Sequence, residues 1–317
     1  MPDPCAALAL LPLVLGLALD AIYPYHRGPL LAIHPVHTSY VMAMRLAGRV
    51  RGRIGGILLW LTVVGSHLAI YGAALWAAWQ LGYPVWIPVA SYVVKVTIPV
   101  RLLFDHVEDT RKHLVDGDLE GARAAAQGLV RRDLGRADEG HVSSAALESL
   151  FESLVDGIVS PLLYYALLGP LGALAQRLAN TMDGAVGFRD ERYSEIGWFS
   201  AKVDTVLNYI PARLTALLEI AACALRRGDA ERALRTYARY RNATESINAG
   251  HPLSAAAGCL GVRLEKEGSY SVGVGELPGP RDLTEGTRLA AVALGLAASV
   301  AALVICALAG AHLPWTV

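Results

Sequence analysis

Long apolar runs constrain this chain more than any other feature it has. Four segments approach the roughly 20 mostly apolar residues that a hydrocarbon core requires: Ala6 to Tyr23, Ile54 to Trp79, Tyr83 to Phe104 and Leu289 to Gly310. Lys95 and Pro99 interrupt the third. Two more stretches, 158–178 and 206–225, are long enough but broken, the first by Pro161 and Gly169-Pro170, the second by Pro211 and Arg213. Only 18% of the 317 residues are charged and 54% are apolar, against about 25% charged in soluble domains. The expected fold is an all-α integral membrane protein with about four transmembrane helices, re-entrant or buried helices at the two broken stretches, and a cytoplasmic helical region.

Charge placement orients it. Arg45, Arg49, Arg51 and Arg53 crowd the connection after the first span, whereas no Lys or Arg precedes Ala6, occupies 80–83 or follows Gly310. Basic residues concentrate on the cytoplasmic side, so that connection is expected in the cytoplasm and both termini outside. The whole chain, 1–317, reads as a single membrane-embedded domain: spans 1–3 in 1–104, a cytoplasmic or membrane-seated catalytic region in 105–286, and a last span in 287–310. No basic leader precedes the first apolar run, which reads as a retained anchor. The 28 basic and 28 acidic side chains cancel, so bulk charge offers nothing for nucleic acid. Cys5, Cys223, Cys259 and Cys306 form no C-x-x-C, and neither a disulfide framework nor a zinc site is expected.

Between 105 and 286 local patterns predict soluble helices. In 118–134 the Ala/Leu spacing gives an amphipathic helix with Asp118 as N-cap and Glu120 in its first turn; Arg131, Arg132 and Asp133 close it. Gly228-Asp229 starts another, basic helix. From Asn248 to Pro280 glycine and proline predict a loop, with short β structure around Tyr270 to Val274 where Ser, Tyr and Val alternate.

The chemistry-bearing groups follow. Glu148, Glu152 and Asp156 recur every four residues on one helix face, as a solvated acidic face or as a carboxylate ladder for Mg²⁺, which prefers oxygen ligands. The densest polar stretch, 180–217, holds Asn180, Asp183, Arg189, Lys202, Asp204, Asn208 and Arg213 beside membrane-grade sequence, where such groups are costly. Asn180 and Asp183 stand three apart, Asp204 and Asn208 four apart, so each pair can aim oxygens at one point of a helix; Asn180 is equally an N-cap. Arg213 either snorkels to headgroups or binds a ligand. Asn248, Gly250 and His251 are a turn, or a loop whose glycine lets backbone approach a ligand. No Walker A, strand-linked G-x-G-x-x-G, H-E-x-x-H or G-x-S-x-G is present.

Taken in order, His34-Pro35-Val36, Val130 to Asp133, Glu148-Ser149, Glu152, Asp156-Gly157, Pro161, Asn180 to Asp183, Val186-Gly187, Tyr193, Gly197, Ser200 to Asp204, Asn208 to Thr215, Asn248 to Pro252, Gly258 and Leu260 to Leu264 resemble the CobD/CbiB family of adenosylcobinamide-phosphate synthases. The resemblance runs from about Asp20 to Glu276. The chain departs from the family pattern at Arg131, where glycine is usual, at Ser153, where asparagine is usual, and at Ile22-Tyr23-Pro24.

The resemblance implies a membrane enzyme that spends ATP, with Mg²⁺, to join adenosylcobyric acid to (R)-1-amino-2-propanol or its O-phosphate through an amide. It implies catalytic roles for Asp183, Lys202, Asp204 and His251, binding roles for Arg132, Asn180, Arg213, Asn248 and Gly250, and metal ligation by Glu148, Glu152, Asp156 and Asn208. The active site is expected on the cytoplasmic face of the cell membrane, in a homo-oligomer or a complex with other enzymes of the pathway. The alternative is a non-catalytic membrane sensor built on the same scaffold.

Overall fold

A computed structural model describes residues 4–188 and 193–309. The protein is an all-α membrane protein whose only described sheet is one short hairpin. Four helical stretches are long and apolar enough to cross a membrane: Gly52–Gln80, Tyr83–Val115, Glu139–Val186 and Pro280–Leu308. Three match the expected spans. The expected first span, Ala6 to Tyr23, falls short over its described apolar part, Leu8–Ile22. The stretch 158–178, read as buried or re-entrant, belongs instead to a helical run of span length.

The chain falls into two compact units, 1–100 with 160–207 and 300–317, and 101–159 with 208–299. The helical run 139–186 is shared out between them.

In the first unit, α1 (Pro4–Ile22) packs on α4 (Tyr83–Thr97), and α2 (Pro35–Ala47), α3 (Gly52–Gln80) and α4 pack on α8 (Ser160–Val186). Ala43, Leu59, Val63, Ala90, Leu174 and Met182 form its core. Gly16 permits the α1–α4 contact: a Cβ there would lie 2.6 Å from Val94 Cβ. Tyr165 Oη donates to the Ala9 carbonyl at 2.6 Å, tying α8 to α1. α8 is kinked where Gly169 takes φ 67° ahead of Pro170, a conformation open to glycine and a residue that removes a helical donor. α9 (Trp198–Leu207) lies on α8 and α3. Lys95, buried on α4, donates to the Pro24 carbonyl at 3.3 Å and sits 2.8 Å from His26 Nδ1, so the charge that interrupted the third span has internal partners.

The second unit is built around α7 (Glu139–Ser153), buried along most of its length, with β1 (Arg263–Lys266) and β2 (Tyr270–Gly273) paired antiparallel against it. It also holds α5 (Val100–Val115), α6 (Leu119–Gln127), α10 (Tyr209–Leu225), α11 (Ala230–Tyr240) and α12 (Gly250–Leu260); α13 runs Pro280–Ala309. Asp118 caps α6 through Gly121 N at 2.9 Å and Asp229 caps α11 through Arg232 N at 2.8 Å, as their short acceptor side chains dictate.

Three expectations are corrected. α6 ends at Gln127, so Arg131 to Asp133 lie in the loop beyond it; Gly128 stops the helix earlier than the charges suggested. The expected loop 248–280 contains α12, because Pro252 is tolerated in a helix's first turn. Cys223 and Cys259 form a disulfide with Cα atoms 5.9 Å apart: residues 36 apart in sequence meet because α10 packs on α12.

Candidate active site

The expected site residues fall into one group in the first unit and two in the second. In the first unit Asn180 and Asp183 lie one turn apart on α8, and Lys202 and Asp204 lie on α9. Asn180 is inside α8, so it is no N-cap. Its Nδ2 donates to Asp204 Oδ1 at 3.2 Å while its Oδ1 accepts from Arg177 Nη1 at 3.3 Å. The amide thus holds an arginine and a carboxylate in line. Gly187 is required beside it, since a Cβ there would fall 1.9 Å from Asp183 Oδ1. Gly197 is required too, because a Cβ would fall 1.7 Å from the Val186 carbonyl. Lys202 is exposed and has no side-chain partner among the described residues. Arg189 lies outside the described residues.

His34, of the His34-Pro35-Val36 motif, starts α2: its Nδ1 accepts from His37 N at 3.4 Å, and Pro35 takes the first helical position. Its ring meets that of His26 edge-on at 4.5 Å. Burial, helped by the neighbouring His26, Lys95 and Arg177, pushes the His34 pKa down to about 3 and keeps the imidazole neutral.

In the second unit Glu148 is fully engaged. Arg132 donates to both its oxygens at 2.8 Å, Tyr270 Oη to Oε2 at 2.6 Å, and Ser144 Oγ to Oε1 at 2.8 Å. Ser144 Oγ in turn accepts from Glu265 N at 2.7 Å, linking α7 to β1. Burial and the adjacent carboxylates of Glu148 and Glu152 push the Tyr270 phenol pKa up, so it remains a donor. A carboxylate with four donors is charge-satisfied, and Glu148 here receives protein donors in the lone-pair positions a metal would need. Glu152 follows one turn on along α7. Asp156 lies in a π-helical turn, Leu154–Val159. Among the described residues no three His, Cys, Asp or Glu side chains are grouped to hold a metal ion.

The other group joins the start of α10 to the start of α12. Arg213 donates to the Tyr209 carbonyl at 2.7 Å, Asn248 Oδ1 at 3.2 Å and the Ile247 carbonyl at 3.3 Å, and its guanidinium stacks 3.4 Å over the Tyr209 ring. It is therefore held by the protein rather than extended towards headgroups. Asn208 is buried just before α10, without capping it. The close approach Gly250 allows is to the Arg241 carbonyl, 2.3 Å from where its Cβ would stand. His251 Nδ1 is 2.9 Å from Tyr237 Oη, and its buried Nε2 has no hydrogen-bond partner. Burial, with Arg213 and Arg241 nearby, lowers its pKa to about 4.

Sequence reasoning missed Arg177, Ser144, Tyr270, Tyr237 and Glu219. Arg177 and Ser144 stand one helical turn before Asn180 and Glu148, a usable signal. Tyr270 reaches Glu148 from 122 residues away, with no local cue. Glu219 is an acid in an apolar run whose carboxylate oxygens are buried without hydrogen-bond partners.

Residues 13–298 match the model of the family described as CobD/Cbib protein. The chain is 50% identical over 295 residues to the probable cobalamin biosynthesis protein CobD of Aeropyrum pernix, covering 92% of each chain. It is 36% identical over 296 residues to the cobalamin biosynthesis protein CobD of Rhodobacter capsulatus, again covering 92% of each. With the probable CobD of Thermococcus kodakarensis it shares 35% over 291 residues, 89% of this chain and 90% of that one. No solved structure matches. With the family model spanning every polar group described above and half the residues shared with one relative, this chain belongs to the CobD/CbiB family.

Proposed function

We propose that the chain is an ATP-dependent amide ligase of cobalamin biosynthesis. It joins adenosylcobyric acid to (R)-1-amino-2-propanol or its O-phosphate, giving adenosylcobinamide or its phosphate. The observation that carries this reading is the family match across 13–298, supported by the Asn180–Asp204 pairing inside it. Relatives of such coverage are named cobalamin biosynthesis proteins.

The residues support a division of labour. A carboxylate is a poor electrophile, and ATP as co-substrate supplies its activation. Lys202, exposed and without a side-chain partner among the described residues, is the cation best able to take a phosphate. Arg132 acts through Glu148, holding the hairpin to α7, rather than on phosphate. Mg²⁺ needs only one or two carboxylates when substrate phosphates complete its shell. Asp183 and Asp204, on packed helices, fit that need better than Glu148, whose oxygens already accept four hydrogen bonds. Bound there, the ion would screen the triphosphate charge. The attacking amine must lose a proton. His251, its pKa lowered to about 4 and so neutral at pH 7, and the carboxylates of Asp183 and Asp204 are all able to accept it. The arginine-rich connection at 45–53 supports placing this chemistry on the cytoplasmic side.

The test is direct. Purified full-length protein in detergent, given adenosylcobyric acid, aminopropanol phosphate, ATP and Mg²⁺, should yield the amide product with matching nucleotide hydrolysis by mass spectrometry. No product, where a family synthase works in parallel, overturns the reading in favour of a sensor.

A further inference from the structure

α2 carries a cavity of about 780 Å³ that none of the chemistry above uses. Its lining follows one stripe of the helix: Thr38, Val41, Met42, Arg45 and, just past the helix end, Arg49, with His37 at the other extreme. The opposite face of α2, Ser39, Ala43 and Ala47, is buried in the first unit; Met42 and Leu46 form a half-buried floor against the core, and Arg45 and Arg49 are exposed. The middle of the stripe is apolar and its end is doubly cationic, with no acidic residue in the lining.

The two arginines are not explained by the protein. Arg53, four residues beyond Arg49, pairs with Glu195 at 3.5 Å and stacks on Trp198 at 5.2 Å. The Arg45 and Arg49 side chains have no hydrogen bond or ion pair among the described residues. They also stand immediately before Gly52, where α3 begins as a candidate span, and so at the level where a bilayer presents its headgroups. From His37 to Arg49 the stripe is about 18 Å long at helical rise, comparable to one leaflet of a hydrocarbon core about 30 Å thick.

We propose that this face binds an anionic phospholipid, with the phosphate on Arg45 and Arg49 and an acyl chain along Val41 and Met42. Charge decides the occupant: both lipid classes carry a phosphodiester that can accept from the guanidiniums, but in phosphatidylcholine its own choline cation cancels the charge, whereas an anionic headgroup leaves a net negative charge for Arg45 and Arg49 to neutralise. The inference does not depend on the synthase reading, since its readout is binding.

Native mass spectrometry of the full-length protein in detergent, with added phosphatidylglycerol or phosphatidylcholine, tests it. The expected result is one retained phosphatidylglycerol at least tenfold tighter than phosphatidylcholine, lost by tenfold or more in R45Q/R49Q. Met42→Trp, which fills the apolar part and keeps both charges, should lose it as well. That second variant decides the matter if the first fails to fold. Equal retention of both lipids, retention undiminished in either folded variant, or displacement of the lipid by adenosylcobyric acid would overturn the proposal.

Discussion

The acids of the two units live in opposite circumstances. In the second unit Glu148 is buried and saturated by Arg132, Tyr270 and Ser144, and those three tie a loop, a helix and a hairpin together. In the first unit Asp204 is half-buried and meets a neutral amide, and Lys202 two residues away is exposed without a partner among the described residues. A charge surrounded by protein donors is committed to the fold, because any ligand must first displace them at a desolvation cost. An exposed charge with no partner among the described residues, as at Lys202, is still able to respond. Electrostatic commitment therefore separates scaffold from chemistry better than residue type does.

This contrast can be broken at several points. The largest effect is expected for Lys202→Ala and Asp183→Ala: turnover in the ligation assay should fall by about 10²–10³-fold or more, the scale of losing a preorganised charged contact, with melting unchanged. Next, Glu148→Ala strands a buried arginine and phenol. It should cost about 3–5 kcal/mol, read as a lowered thermal midpoint, and R132A/E148A should cost less than the sum of the single changes. Reducing the Cys223–Cys259 bond should cost about 4 kcal/mol for its closed loop. Cys223→Ala/Cys259→Ala should melt alike with and without reductant.

A smaller effect follows from pH. His251 and His34 have folded pKa values of about 4 and about 3, below the free value near 6.5. Below pH 6.5 the unfolded chain takes up protons that the folded chain refuses until those lower values. Stability should therefore be full above about 6.5 and fall as acid is added towards 4 and 3. His251→Gln should flatten the upper part of that loss in melting curves. The smallest change is expected at Glu219→Gln: removing an ionisable group buried without hydrogen-bond partners should leave stability unchanged or raised, by about 1 kcal/mol or less.

What could be read from sequence was local. The cap at Asp118, the turn at Gly228-Asp229 before a helix, the β structure at Tyr270 and the long apolar runs depend on neighbours in the chain. The i, i+3 spacing of Asn180 and Asp183 likewise survives as a helical face. What could not be read depends on distant partners. The disulfide needs α10 to pack on α12, and Glu148 acquires Tyr270 from a hairpin. Acids at every fourth position suggested a metal ladder because sequence periodicity records which face a residue occupies, not who meets it there.

The most direct test compares Lys202→Ala with Glu148→Ala in one preparation, measuring both amide formation and thermal midpoint. The account predicts that Lys202→Ala loses at least about 10²-fold in turnover at an unchanged midpoint, while Glu148→Ala loses midpoint and regains activity on cooling. Near-normal turnover in Lys202→Ala, or an inactive Glu148→Ala that melts like the parent, would contradict it.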